Sequence, residues 1–471
     1  MMPQAAASRN FDLNIEEILE GWEICHAVRE VIANALDEQA LTGTKEIRIA
    51  KDSAGAWHVR DYGRGLKYEH LTQNENAEKL RNTQKVIGKF GVGLKDALGV
   101  LHRRGVDVVV GSRHGDITLK RAPKHGFADV VTLQAVISPP ADPWLVGTDL
   151  ILRGVSEADI ETAKAFFLKF SGGEILDETQ YGQILRRASN QYARIYANGL
   201  RVAEEEGFAF SYNITSLTAP MRKALNRERT NVGRAAYSER VKTMLLASTS
   251  GAVAATLADN LTQIEQGTNC DEVNWTDVAL HACRVLSASK KAVFVTASER
   301  TAEPGSIDHA IADGYQLVTV PQSIKDRLHD LKDLEGKPVR DLEVYRQEWA
   351  RSFKFKFIPR EELTADERRI FDLWPKIAGL AEGLRRAVRE IKISEVMRPD
   401  LRSNLEPVGL WEPDRQRIII KRSQLRSIDA VAGTLLHELV HAQTGSGDVT
   451  REFEEALTDL LGKVSARAIE A

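Results

Sequence analysis

The sequence predicts an α+β protein of several domains. Three observations carry that expectation. The chain has 471 residues, more than one core of about 100–200 residues absorbs. Helix-period and strand-period segments alternate along its length. Apolar residues make up 43% and charged residues 28%, which is globular usage and excludes a disordered chain, a collagen-like fibre or a disulfide scaffold. Breaks in the pattern divide the chain into residues 1–172, 173–290, 291–345 and 346–471.

Charge and cysteine content narrow the function classes. Lys plus Arg number 64 and Asp plus Glu 67, so no global basic field draws the chain to nucleic acid or anionic lipid, although a local patch stays open. Cys25, Cys270 and Cys283 match no paired metal spacing and fit a reducing compartment. No apolar run reaches about 18 residues, so no membrane span is expected. The N-terminus lacks a basic segment followed by an apolar one and does not read as a secretory signal. The expectation is a soluble, cytoplasmic protein.

In residues 16–40, Ile18, Trp22, Cys25, Val28, Val31, Ile32, Ala35 and Leu36 recur at helical steps. Glu30, Asn34 and Asp37 share another stripe, which suits either a solvated face or a held water and divalent cation. EIRIA and AWHVRDYG alternate like a hairpin turning at 53–55. The second strand ends in Asp61-Tyr62-Gly63-Arg64-Gly65, where glycines let backbone approach a flat ligand beside a carboxylate. A polar stretch, 66–86, leads to Ile87-Gly88-Lys89-Phe90-Gly91-Val92-Gly93-Leu94-Lys95. This glycine-rich loop opens a helix, whose N-terminal N–H groups favour phosphate. Val146-Gly147-Thr148-Asp149 then enters an apolar strand. The loop is neither a Walker loop nor a dinucleotide fingerprint, because Asp96 stands where a glycine is needed.

That order of motifs, over about residues 11–172, resembles the GHKL ATPase family of gyrase B subunits, the ninety-kilodalton heat-shock chaperone, histidine kinases, mismatch-repair clamps and MORC proteins. The resemblance implies an N-terminal GHKL α/β sandwich that binds ATP and Mg²⁺. Asn34 would ligate Mg²⁺, Asp61 would accept from the adenine amino group with Thr148 in support, and Gly63 and Gly65 would border the base. Gly88, Lys89, Gly91, Val92, Gly93, Leu94 and Lys95 would cradle the phosphates under a lid at 66–87. Glu30 would be the general base for the attacking water. Histidine kinases need no hydrolytic glutamate there, and no helix pair with a phospho-acceptor histidine precedes the domain, so that class is rejected.

RIYANGLRVA and GFAFSYNIT read as two strands around the acidic turn 204–206. In hydrolysing GHKL relatives an S5-like transducer sits at this place. Asn226-Arg227-Glu228-Arg229-Thr230-Asn231 resembles its loop to the γ-phosphate, with Arg227 or Arg229 as the reaching residue. A solvated basic loop is the alternative. KKAVFVTA, GSIDHAIADGY and QLVTVP then read as strand, helix and strand, a small α/β connector.

Toward the C-terminus, RQRIIIKRSQL reads as an apolar-cored strand. Ser427 and Asp429 signal the start of a helix that Gly445 closes. It carries His437-Glu438-Leu439-Val440-His441. Histidines four apart on a helix suit two Zn²⁺ ligands, and the intervening glutamate reaches a metal-bound water as general base. Thr450 opens a second helix whose apolar stripe is Phe453, Ala456, Leu457, Leu460 and Leu461. Glu455 and Asp459 lie on the opposite side and are expected to face the first helix. Glu455-Ala-Leu-Thr-Asp459 resembles the ExxxD element of thermolysin-like gluzincins. The resemblance implies a mainly helical zincin domain, with His437, His441 and Glu455 as Zn²⁺ ligands and Asp459 supporting a histidine. Glu454 competes as third ligand, and the gap from His441 to Glu455 is shorter than in thermolysin.

A GHKL module fused to a zincin implies ATP-controlled peptidase activity on an unknown protein substrate, with an ATP-dependent homodimer as the expected assembly. Regulated proteolysis, stress response and phage defence all suit it. The alternative is an ATP-driven clamp or chaperone, MORC-like and nucleic-acid-associated, whose zincin-like domain is not catalytic.

Overall fold

The computed structural model describes residues 9–13, 19–72, 77–82, 86–88, 93–124, 127–225, 232–264, 267–381, 388–400 and 406–470. Contacts divide the chain into two units, Met1–Val285 and Leu286–Ala471. No single helix among the described residues is long and apolar enough to cross a membrane.

In the first unit, the stripe of Val28, Val31 and Ile32 makes α1 (Ile24–Thr42) a core helix. Each of these side chains contributes about 1.5–3 kcal/mol when fully buried. The helix starts later than its periodicity suggests, because Glu23 caps it in a reciprocal box with His26. A short helix, α2 (Ala77–Arg81), follows within the polar stretch. The glycine-rich segment then opens α3 (Gly93–Arg103).

These helices lie against a seven-stranded sheet of β1 (Arg9–Asp12), β2 (Arg48–Lys51), β3 (Trp57–Arg60), β4 (Asp107–Ser112), β5 (Asp116–Lys124), β6 (Phe127–Ser138) and β7 (Thr148–Arg153). Its order is β1-β6-β5-β4-β7-β3-β2, and every neighbouring pair is antiparallel. Leu98 and Leu101 of α3 share one core with Val59, Val108, Leu150 and Leu152 of the sheet. β7 runs between β3 and β4, with Asp149 opposite both Arg60 and Gly111. That register sets Thr148 beside the end of β3.

A second sheet holds β8 (Ile175–Thr179), β9 (Gly182–Arg186), β10 (Ala193–Ala197), β11 (Leu200–Glu205) and β12 (Phe210–Ile214). Its order is β11-β10-β12-β9-β8. RIYANGLRVA is therefore a hairpin rather than one strand. Asn198 (φ 48°) and Gly199 (φ 82°) are both left-handed, as a tight hairpin turn requires.

The second unit begins with parallel β13 (Ala292–Val295) and β14 (Gln316–Thr319). Helix α4 (Leu342–Ser352) packs Leu342 and Tyr345 into their core. A four-stranded sheet of β15 (Phe357–Ile358), β16 (Glu390–Ser394), β17 (Gly409–Glu412) and β18 (Arg417–Lys421) has the order β15-β16-β18-β17, leaving β17 at an edge. Helices α5 (Ile428–Thr444) and α6 (Arg451–Glu470) complete the unit. Gly445 ends α5 in a left-handed cap (φ 71°). This C-terminal region is mainly helical but also carries the four-stranded sheet, which periodicity did not predict. The apolar run Ile418-Ile419-Ile420 is fully buried because its strand is paired on both sides.

Candidate functional site

Two sites emerge, one in each unit. In the first, a cavity of about 380 Å³ is lined by Asn34, Glu38, Asp61, Gly65, Leu94 and Thr148, among others. That volume is ordinary for a small-molecule pocket. Asp61 is 5% exposed. Its Oδ1 accepts from the backbone N–H of Gly63 (2.8 Å) and of Thr148 (3.2 Å). Burial pushes the Asp61 carboxyl up, while the two N–H groups and the Thr148 side chain oppose the rise. Thr148 returns the contact by accepting from Asp61 N at 3.0 Å through its carbonyl, and its hydroxyl oxygen accepts from Leu66 N at 3.0 Å.

Asn34 is engaged at both ends. Its amide donates to the Glu30 carbonyl (2.9 Å), and its oxygen accepts from Lys79 Nζ (3.2 Å). Asp37, 1% exposed, accepts from the N–H of Ile87 (2.6 Å) and Gly88 (2.9 Å) and from Lys79 (2.7 Å). One carboxylate thus ties the start of the glycine-rich segment to α1. The Lys79 ammonium sits between Asn34 and Asp37, where a divalent cation would meet the same oxygens. At the mouth, Arg64 pairs with Glu38 and Glu78, each at 2.9 Å. Burial raises the Glu38 carboxyl, but the Arg64 hydrogen bonds outweigh it and hold the group below its ordinary value. Helix α2 therefore lies across the cavity on two ionic ties.

Of the residues expected here, Asn34, Asp61, Gly65, Leu94 and Thr148 come together at one cavity. Gly63 adjoins Glu38, and Gly88 is buried on Asp37. Gly93 and Lys95 open α3, with Lys95 buried. Lys89, Gly91, Val92, Arg227 and Arg229 lie outside the described residues. Glu30 is 1% exposed, pairs with the fully buried Arg29 at 3.0 Å, and is not among the described residues that line the cavity. The Arg29 guanidinium lies over the rings of Trp22 and Phe166. A charge so desolvated needs the adjacent carboxylate. Asp37, Lys79 and Arg64 were missed as site residues. Asp37 shares the stripe of Asn34, which was the available signal.

In the second unit, the two histidines of α5 meet Asp448 from the loop after Gly445. The three ligand atoms lie within 4.8 Å of one another. Asp448 Oδ1 is 2.7 Å from His437 Nε2 and 2.9 Å from His441 Nε2. The two Nε2 atoms are 3.3 Å apart, close to the roughly 3.3 Å that a tetrahedral ion with bonds of about 2.0–2.1 Å sets between its nitrogens. His441 Nδ1 is 2.8 Å from the Ser446 carbonyl. A proton on Nδ1 would satisfy that oxygen and leave the Nε2 lone pair for a ligand bond. Phe453 stacks on His441, with centroids 4.4 Å apart. These residues could hold a zinc ion, with a position left for water.

Glu438 is 6% exposed. Burial pushes its carboxyl up to about 7. The Asp448 charge adds to the rise, and His441 and the Trp411 N–H oppose it. Gly409 lets β17 come this close, because a Cβ there would lie 2.6 Å from Glu438 Oε1. The groups line a cleft of about 860 Å³ whose other walls are β17, α4 and Arg398.

Glu455 and Asp459 do not join this cluster. Glu455 pairs with Arg451 at 2.7 Å and Asp459 with Lys463 at 2.5 Å, and each side chain is 66% exposed. Glu454 is also exposed. Helix α6 docks through Phe453, Ala456, Leu457 and Leu460. Glu455 is about 200° around the helix from Phe453 and must face solvent. Asp448 was missed. Its signal is an aspartate just beyond the glycine that closes the histidine helix.

A family model described as the Mycoplasma pneumoniae MPN635 N-terminal domain matches residues 158–251. An uncharacterized protein of Mycoplasma pneumoniae is 38% identical over 244 residues, covering 51% of this chain and 98% of that protein. The chain belongs to the same family as that protein. A second uncharacterized protein of the same organism is 25% identical over 352 residues, covering 69% of this chain and 96% of its own length.

Proposed function

We propose that the chain is a zinc-dependent peptidase regulated by ATP and Mg²⁺ bound to a GHKL-type N-terminal unit. The observation that carries this reading is the convergence of His437, His441 and Asp448, of which His441 and Asp448 line one cleft with the buried Glu438. Asp448 takes the ligand role expected of Glu455. Zinc, when bound, would polarise the peptide carbonyl and lower the pKa of water. Glu438 takes the proton of the attacking water and passes it to the leaving nitrogen. His441 is held in orientation by Ser446, and β17 walls the cleft on the side of Glu438. In the first unit, Asp61 would accept from the adenine amino group, and Asn34 would hold Mg²⁺.

The test is zinc content by elemental analysis. About one zinc per chain is expected in the wild type and in Glu455→Ala, with loss in Asp448→Ala. Wild-type protein without zinc, or Asp448→Ala with full zinc, would overturn the site. Peptide cleavage is then compared with ATP, ADP and no nucleotide, and equal rates would remove the regulation.

One observation favours nucleotide binding rather than hydrolysis as the signal, as in a clamp. Glu30 is buried and its carboxylate is paired with Arg29 at 3.0 Å. On this second reading Glu30→Gln leaves the response to ATP unchanged.

A further inference from the structure

Arg398 lines the same cleft as Glu438, His441 and Asp448. Its flanking Met397 is fully buried, which fixes the backbone. Among the described residues its side chain donates one hydrogen bond, from Nη1 to the Ala350 carbonyl at 3.2 Å, and makes no ion pair. A guanidinium carries five N–H donors in a planar fork. The other arginine of the cleft, Arg346, is held by Glu303 and Glu343. Glu412, the carboxylate whose charge acts on Arg398, is itself paired with Arg417 at 2.5 Å. Burial disfavours the unpaired charge on Arg398. Among the described residues that line the cleft, the half-buried Arg398 fork is thus the arginine without a paired carboxylate.

We propose that Arg398 binds a carboxylate of the peptide substrate and so sets the preference of the cleft for an acidic peptide. The inference rests on the peptidase reading and names its substrate class. Two sources share the chemistry, an acidic side chain near the scissile bond and a free C-terminal carboxylate. Bidentate recognition of a carboxylate by a partly desolvated arginine is strong.

The experiment digests a peptide library with the zinc-loaded full chain and reads cut sites by mass spectrometry. Enrichment of Asp or Glu at a fixed distance from the cut assigns the side chain. Cleavage confined to C-terminal ends, and abolished by amidation, assigns the terminus. For a preferred peptide, Arg398→Met is expected to raise KM about tenfold to a hundredfold with kcat little changed. The matching neutral peptide should be unaffected, and Arg398→Lys should recover part of the loss. Wild-type cleavage without carboxylate preference, or the same preference in Arg398→Met, overturns the inference. If no peptide is cut, binding of labelled Glu- and Gln-containing peptides to zinc-loaded wild type and Arg398→Met still decides it. Equal affinities overturn the role of Arg398, whereas preference without cleavage overturns only the peptidase reading.

Discussion

Gly147→Ala tests whether the Asp61 turn and the start of β7 form one unit. Gly147 has φ +84°, and a Cβ there would lie 2.1 Å from the Asp61 carbonyl oxygen and 2.7 Å from Tyr62 Cα. The left-handed backbone alone costs about 1–2 kcal/mol for a residue with a Cβ. Relieving the clash moves backbone, which adds about 1–3 kcal/mol. The sum is roughly 3 kcal/mol, and the displaced group is the turn that carries Asp61. Losing a charge-assisted hydrogen bond of about 1.5–3 kcal/mol weakens ATP binding about tenfold to a hundredfold. Gly43→Ala is the control. Gly43 has φ +64° but nothing within 4 Å of its Cβ position, so it loses only the backbone contribution and keeps ATP affinity. Calorimetric ATP titration and urea denaturation of both variants provide the comparison. If Gly147→Ala binds ATP like the wild type and unfolds with Gly43→Ala, the close approach does not position Asp61.

Three further outcomes are expected. Asp37→Ala removes the acceptor for Ile87 N, Gly88 N and Lys79 Nζ. Hydrogen exchange at those two amides should accelerate, and ATP affinity should fall at least about tenfold. Because burial raises the Asp61 carboxyl, ATP affinity should fall on acidification with a midpoint above the ordinary carboxylate value of about 3.9, and Asp61→Asn should flatten the profile. The linked effect on stability has the opposite sign. A raised pKa favours the folded first unit below the unfolded pKa, and that gain is lost as pH rises through the folded value. Phe453→Ala removes a ring that is 3% exposed and stacked on His441. It should destabilise the second unit by about 3–5 kcal/mol and weaken zinc binding. Glu455→Ala, with its exposed pair to Arg451, should change stability by less than about 1 kcal/mol. Thermal denaturation of the two variants checks the contrast.

Much of the local structure was legible because short-range rules govern it. The hairpin of β2 and β3, the helix opened at Gly93 and the helix from Ile428 to its Gly445 cap follow from periodicity and punctuation. The split of RIYANGLRVA at Asn198-Gly199 was equally local, since an Asn-Gly pair between alternating segments marks a tight hairpin. Pairing in the sheets was not legible, because β7 reaches its partners β3 and β4 across long stretches of chain.

The sites divide the same way. Spacing along one helix determines that Asn34 and Asp37 share a side of α1, and that His437 and His441 project together, because the α-helical period is a property of the backbone. Which residues meet them depends on how separate elements dock. Burial of Phe453, Ala456, Leu457 and Leu460 turns Glu455 to solvent, and the loop after Gly445 brings Asp448 to the histidines instead. Desolvation of Arg29 beneath Trp22 and Phe166 draws Glu30 into an ion pair. Helix α4 and Arg398, from a stretch without a chemical motif, become a wall of the cleft that Glu438, His441 and Asp448 line. A single chain segment encodes its own period and its own apolar face. The free energy that selects the partner of that face, and the polar groups carried in with it, belongs to the assembled core.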